Sequence, residues 1–104
     1  MAQFDVYRNP NPETNIQIPY LLDLQADLLE LLNTRVVAPL HTQASISAPI
    51  RHLNPILEVG GEKLVLSTAE LAAVPVGALG EQVGNAKDYR DDVIASLDFV
   101  FTGI

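Results

Sequence analysis

One stretch of this chain repeats its apolar residues at a helical period, and the alternating segments before it leave that helix something to pack on. From Lys87 to Ile104 (KDYRDDVIASLDFVFTGI), Tyr89, Val93, Leu97 and Val100 fall on one stripe, with Ile94 and Phe101 at its edge. Arg90, Asp91, Asp92, Ser96 and Asp98 cover much of the rest. Asp88 is the expected N-cap, and Asp91 and Asp92 favour the positive end of the helix dipole. Gly103 supplies a place to stop. The stripe reads as one half-buried helix closing a small core. Phe99 projects to the far side from Val93 and has no place in that stripe. The end of the run, Phe101-Thr102-Gly103-Ile104, is apolar where chain ends are usually frayed and polar. Such an end is either docked in its own fold or offered to a partner.

The remaining apolar residues mostly alternate. Gln3 to Tyr7 (QFDVY) reads as a first strand with Phe4 and Val6 inward, and Arg8 to Thr14 (RNPNPET) as a turn or exposed loop. Ile16, Ile18, Tyr20 and Leu22 predict a second, antiparallel strand, with Pro19 marking an edge or a bulge. Leu21 to Leu32 (LLDLQADLLELL) has helical propensity, yet the alternation carries through Leu24 and a third strand begins near Arg35. The expectation is strand to about Leu24, then an irregular or one-turn connection through Leu32. That connection holds Leu28, Leu29, Leu31 and Leu32, more apolar groups than it can easily hide.

Arg35 to Leu40 is the third strand, and His41 to Pro49 reads as a loop or short turn. Gly60-Gly61 between the alternating runs His52–Val59 and Glu62–Leu66 is a hairpin signal, because both turn residues can take positive φ. Ser67 to Glu70 fits a capping box, Val74-Pro75-Val76 a short edge strand, and Gly77, Gly80 and Gly84 punctuate the run into the helix. The class is α+β: a small, strongly bent antiparallel sheet closing into a barrel-like shape, with a C-terminal α-helix packed on it.

Composition narrows the function. A chain of 104 residues makes a single domain, 1–104, with one core. No leader precedes Gln3 and no run is long enough to span a membrane, so the cytoplasm is the expected location. The absence of cysteine agrees. Net charge is −7, and Arg8, Arg35, Arg51, Lys63, Lys87 and Arg90 stand apart from one another. Nucleic-acid binding leans on clustered cations, so direct DNA or RNA binding is not expected.

No residue pattern marks a catalyst. His41 and His52 lack metal-ligand spacing, no glycine loop cradles phosphate, no serine sits in a GxSxG elbow, and no cofactor is called for. Both histidines are expected in loops or on the surface. Asp23 and Asp27 could form a carboxylate pair, but a structural role is the stronger reading. These residues describe a binding protein.

Five segments in register resemble the CcdB family, gyrase-poisoning toxins of toxin–antitoxin modules. They are Gln3–Tyr7, Asp23–Leu29 (DLQADLL), Arg35–Leu40 (RVVAPL), Val74-Pro75-Val76 with Gly80-Glu81, and Gly103-Ile104. The likeness spans essentially the whole chain. It implies an SH3-like barrel with a C-terminal helix, a two-fold homodimer, and an activity of binding rather than catalysis. The family's dimer inserts into the A subunits of DNA gyrase and traps the enzyme on cleaved DNA. Position by position, the gyrase-contacting residues it implies are Leu28 and Leu29 in the connection, then Asp98, Phe101, Thr102, Gly103 and Ile104. Some relatives carry asparagine at Asp98.

At Thr102 the chain departs from the best-known members, whose tryptophan is expected to stack on an arginine of the target. Threonine forgoes that cation–π contact, roughly 0.5–2 kcal/mol. The resemblance also implies a cognate CcdA-like antitoxin whose disordered segment wraps the toxin dimer, and with which the toxin represses its operon; DNA is met only through that antitoxin. The acidic balance favours basic stretches in the antitoxin segment. Two other readings stay open: an endoribonuclease toxin of the MazF and Kid type, which shares the fold, and a non-toxic dimeric binding module.

Overall fold

A computed structural model describes residues 1–46 and 48–103. Seven strands, β1 (Asp5–Arg8), β2 (Tyr20–Asp23), β3 (Thr34–Thr42), β4 (Ile56–Val59), β5 (Glu62–Leu66), β6 (Ala72–Pro75) and β7 (Gln82–Asn85), form one antiparallel sheet curled into a half-barrel. Their order is β4-β5-β3-β2-β1-β7, with β6 paired to the first half of the long β3. The helix α1 (Arg90–Thr102) closes the curl, led in by a 3-10 turn at Lys87–Tyr89. The expected α+β class and the bent sheet with a C-terminal helix are both present. No helix among the described residues is long and apolar enough to cross a membrane.

The core is where the alternation placed it. Phe4, Val6, Leu22, Leu40, Leu57, Leu64 and Leu66 point into the curl, and Val93 enters from the helix, with Tyr89, Ile94 and Leu97 packed beside it. Burying each such side chain is worth about 1.5–3 kcal/mol. The β4–β5 hairpin turns on Gly60 (φ 59°) and Gly61 (φ 83°), both in the left-handed region that lets two residues reverse a hairpin.

Several expectations are corrected. The second strand begins at Tyr20, not Ile16: Asn15 and Ile18 donate back to the carbonyls of Asn11 and Thr14, making turns of residues 12–17, and Ile16 is 85% exposed. Asn9 organises that loop, donating to Thr14 Oγ1 and the Ile18 carbonyl and accepting from the Asn11 N–H. Local side-chain bonds of this kind outcompete a ladder. Residues 52–55 likewise stay outside β4. A strand not foreseen, β7, pairs with β1; its QVGN sequence has one apolar side chain and a glycine, too little for an alternation signal.

Asp88 does not cap the helix. Asn85 Oδ1 accepts the Lys87 N–H at 2.8 Å, starting the 3-10 turn, and α1 begins one turn later with Tyr89 at its N-cap and no side-chain cap bond. Ser96, expected on the wet face, is buried, its hydroxyl paired with Thr68 Oγ1 at 3.0 Å and donating to the Val93 carbonyl. His41 lies on β3 rather than in a loop, and its Nε2 is 3.0 Å from Glu70 Oε1. Ser67 Oγ also donates to Glu70 Oε1, at 2.5 Å, so the capping-box residues pair side chain to side chain on a 3-10 turn at Thr68–Glu70.

Candidate functional site

Two apolar features stand out from the fold. The first is the connection between β2 and β3. After Asp23 the chain leaves the sheet, makes a 3-10 turn at Asp27–Leu29 and returns at Thr34. Leu28 is 95% and Leu31 92% exposed, with Leu29 and Leu32 about half exposed. The turn continues past Leu29, where the Leu32 N–H donates to the Leu29 carbonyl at 3.1 Å. The result is a ledge of leucine side chains held clear of the core. A monomer rarely leaves such a patch bare without a partner for it.

The second feature is the tip of α1. Gly103 takes φ 73°, and its N–H donates to the Phe99 carbonyl at 2.9 Å, a left-handed C-cap only glycine adopts without strain. Thr102 Oγ1 donates back to the Asp98 carbonyl at 2.7 Å, so the last turn satisfies its own polar groups. Phe101 is left 71% exposed. Of the sequence-derived contact residues, Leu28, Leu29, Asp98, Phe101, Thr102 and Gly103 are therefore all at the surface. Ile104 lies outside the described residues. Among those described, no hydrogen bond joins ledge to tip; the barrel alone sets their relative position.

Beneath the ledge lies a buried polar cluster that the sequence reading assigned only in part. Asp23 and Arg35 are both fully buried, with Arg35 Nε donating to Asp23 Oδ2 at 2.8 Å. Burial pushes the Asp23 carboxyl above its ordinary range, opposed by the bonds from Arg35 and from the Gln25 N–H. Asp27 has the structural role expected of it, accepting the Gln3 N–H at 2.7 Å. Phe4 and Val6 face inward as expected, and on the outer side of β1 Asp5 and Tyr7 are buried as well. Asp5 accepts from Gln82 and Asn85 of β7 and from the Tyr7 hydroxyl. Burial first, then the Asp5 charge, push the Tyr7 hydroxyl up to about 12.

Gln25 falls within the DLQADLL segment of the resemblance, where sequence alone assigns it no role of its own. The available signal was a lone amide between Leu24 and Ala26 in an otherwise leucine-rich run. Phe4 adopts φ 68°, rare for a bulky side chain, held by its N–H to the Asp23 carbonyl and its own carbonyl to the Ala86 N–H. A separate cavity of about 400 Å³ opens between Pro49–Ile56 and Asp92 and Ala95 of α1, away from the residues of the resemblance. Among the described residues no cluster of His, Asp and Glu is arranged to hold a metal.

Comparison with known proteins adds three findings. The family model described as CcdB protein matches residues 3–103. An endoribonuclease solved in complex with its cognate antitoxin, from a mycobacterial species, superposes with TM-score 0.77 at 11% identity, over 96% of this chain and 93% of that one. The Mycobacterium tuberculosis toxin MazF-mt6 superposes with TM-score 0.73 at 16% identity, over 93% and 95%. At such identities the two structures speak to the fold.

Proposed function

The chain belongs to the CcdB family, and from that premise we propose that it is the toxin of a toxin–antitoxin pair, which binds the A subunit of DNA gyrase as a homodimer and holds the enzyme on cleaved DNA. The observation that carries this reading is the bareness of Leu28 and Phe101, 95% and 71% exposed, at the family's target-contacting positions. A partner that buried both would gain about 1.5–3 kcal/mol from each, the signature of anchors at the dry centre of an interface. The site carries no bond-making: Leu28, Leu29, Phe101, Thr102, Gly103 and Ile104 bind by shape and apolar burial, with Asp98 as a polar neighbour. Thr102 spends its hydroxyl on the Asp98 carbonyl, so Phe101 and the leucine ledge carry the contact that an aromatic at position 102 would otherwise share.

The same premise supplies the partner that silences the toxin, a CcdA-like antitoxin with a disordered C-terminal segment covering these surfaces; a fold neighbour was itself solved with its cognate antitoxin. The site of action is then the cytoplasm, where gyrase works.

A second reading, an endoribonuclease toxin, is favoured by the names of the two fold neighbours. Against it, the net charge is −7 and Arg35 is buried and paired with Asp23, so it cannot line an RNA groove. Expression in two hosts separates the readings. Growth arrest in a gyrase-sensitive strain, absent in a strain with altered gyrase A, supports gyrase poisoning; arrest in both with RNA cleaved by purified protein supports the nuclease.

A further inference from the structure

The chain must leave the sheet to build the leucine ledge, and the place where it leaves has an unusual substitute in the ladder. β2 and β3 pair from Tyr20↔Leu40 to Asp23↔Val37. One more rung is half made: the Leu24 N–H donates to the Val36 carbonyl at 2.8 Å. The return bond from the Val36 N–H finds no backbone carbonyl, because the chain has turned away. Gln25 Oε1 accepts it instead, at 3.0 Å, and the other end of the same amide, Nε2, donates to the Leu29 carbonyl at 2.9 Å. The backbone of Gln25 is pinned as well: its N–H donates to Asp23 Oδ1 at 2.9 Å. The side chain itself is almost wholly buried.

We infer that Gln25 is the positioning residue of the leucine ledge, a single amide that replaces a missing ladder carbonyl at one end and holds the 3-10 turn bearing Leu28 and Leu29 at the other. This rests on the proposed role of the ledge as a partner-binding surface. Fixing the turn before binding matters because exposed side chains on a mobile loop lose part of their contact energy to ordering. An amide is the group that fits. A carboxylate keeps the acceptor and loses the donor, and an apolar side chain of similar length loses both, leaving the half-buried Val36 N–H without its acceptor.

The test compares Gln25→Met and Gln25→Glu with the wild type by amide hydrogen exchange and by affinity for the isolated gyrase A subunit. In Gln25→Met the amides of Leu29, Glu30, Leu32 and Val36 are expected to exchange about tenfold faster, while those of Leu22, Leu40 and Val93 keep wild-type protection. Affinity is expected to fall about tenfold. Gln25→Glu is expected to keep Val36 protected and to speed exchange only in the turn, and it carries the test should Gln25→Met fail to fold. Turn amides that exchange at wild-type rates, or that accelerate only in step with Leu22 and Val93, overturn the inference. A wild type that fails to bind gyrase A would overturn the proposed function instead, and the exchange data would still decide the role of Gln25.

Discussion

Arg35 on β3 and Asp23 on β2 meet with neither side chain reaching solvent, Nε donating to Oδ2 at 2.8 Å and Nη2 lying 2.7 Å from the same oxygen. Arg35 Nη1 is buried without a partner among the described residues. Such a pair contributes little net stability while intact, but removing one member strands a charge in the core. Asp23→Ala or Arg35→Ala alone is expected to cost about 3–5 kcal/mol in urea unfolding, and Asp23→Leu with Arg35→Met together much less than the sum. Additive losses would mean the two residues do not act as a pair.

Gly80, part of the Gly80-Glu81 motif, is held by close approach rather than by turn geometry. Its N–H donates to the Arg8 carbonyl at 3.0 Å, and a Cβ there would sit 2.7 Å from that oxygen. Gly80→Ala is therefore expected to push β7 from β1 and to cost about 1–3 kcal/mol. Gly77→Ala, where an added Cβ meets nothing within 4 Å, serves as the control and is expected to be near neutral.

Glu70 gives a pH-dependent contribution of definite sign. The Ser67 hydroxyl, and then His41, hold its carboxyl below the ordinary value near 4.5. A carboxyl lowered in the fold stabilises above its unfolded value, and that contribution disappears as pH falls through the folded one. Asp23, raised by burial, acts with the opposite sign, so the quantity to measure is the difference between wild type and Glu70→Gln. It is expected to be positive at neutral pH, below about 1 kcal/mol because the Glu70 side chain is largely exposed, and to vanish in acid. A difference that grows on acidification contradicts the assignment.

Ledge and tip should separate binding from folding. Leu28→Ala and Phe101→Ala remove exposed groups and are expected to move stability by no more than about 0.5 kcal/mol while abolishing growth arrest. Leu22→Ala, fully buried, is expected to cost about 2–5 kcal/mol. If Phe101→Ala unfolds the protein, the helix tip is core and not a contact surface.

Much of this was legible before the structure. The Gly60-Gly61 hairpin, the β3 run and the burial of Val93 follow from local signals that nothing in the tertiary fold opposes. Four leucines on a short connection could not be hidden, and they are not. What stayed illegible depended on contacts distant in sequence. Nothing in QVGN announces β7, whose Gln82 and Asn85 are held by Asp5 across the chain. Ser96 looked solvent-facing until Thr68 arrived to pair with it, and Asn11 and Thr14 turned the apparent strand at Ile16 into a loop. Gln25 is the same case at the site: its two bonds span eleven residues to Val36 and four to Leu29, and only the fold brings those partners together.

The most direct measurement is a plasmid cleavage assay with purified gyrase, ATP and this protein, stopped with detergent and protease. Linear DNA that accumulates with the wild type, and not with Leu28→Ala or Phe101→Ala, is the expected result. Uncleaved plasmid at every concentration of a folded, dimeric wild type would contradict a gyrase poison built on these two surfaces.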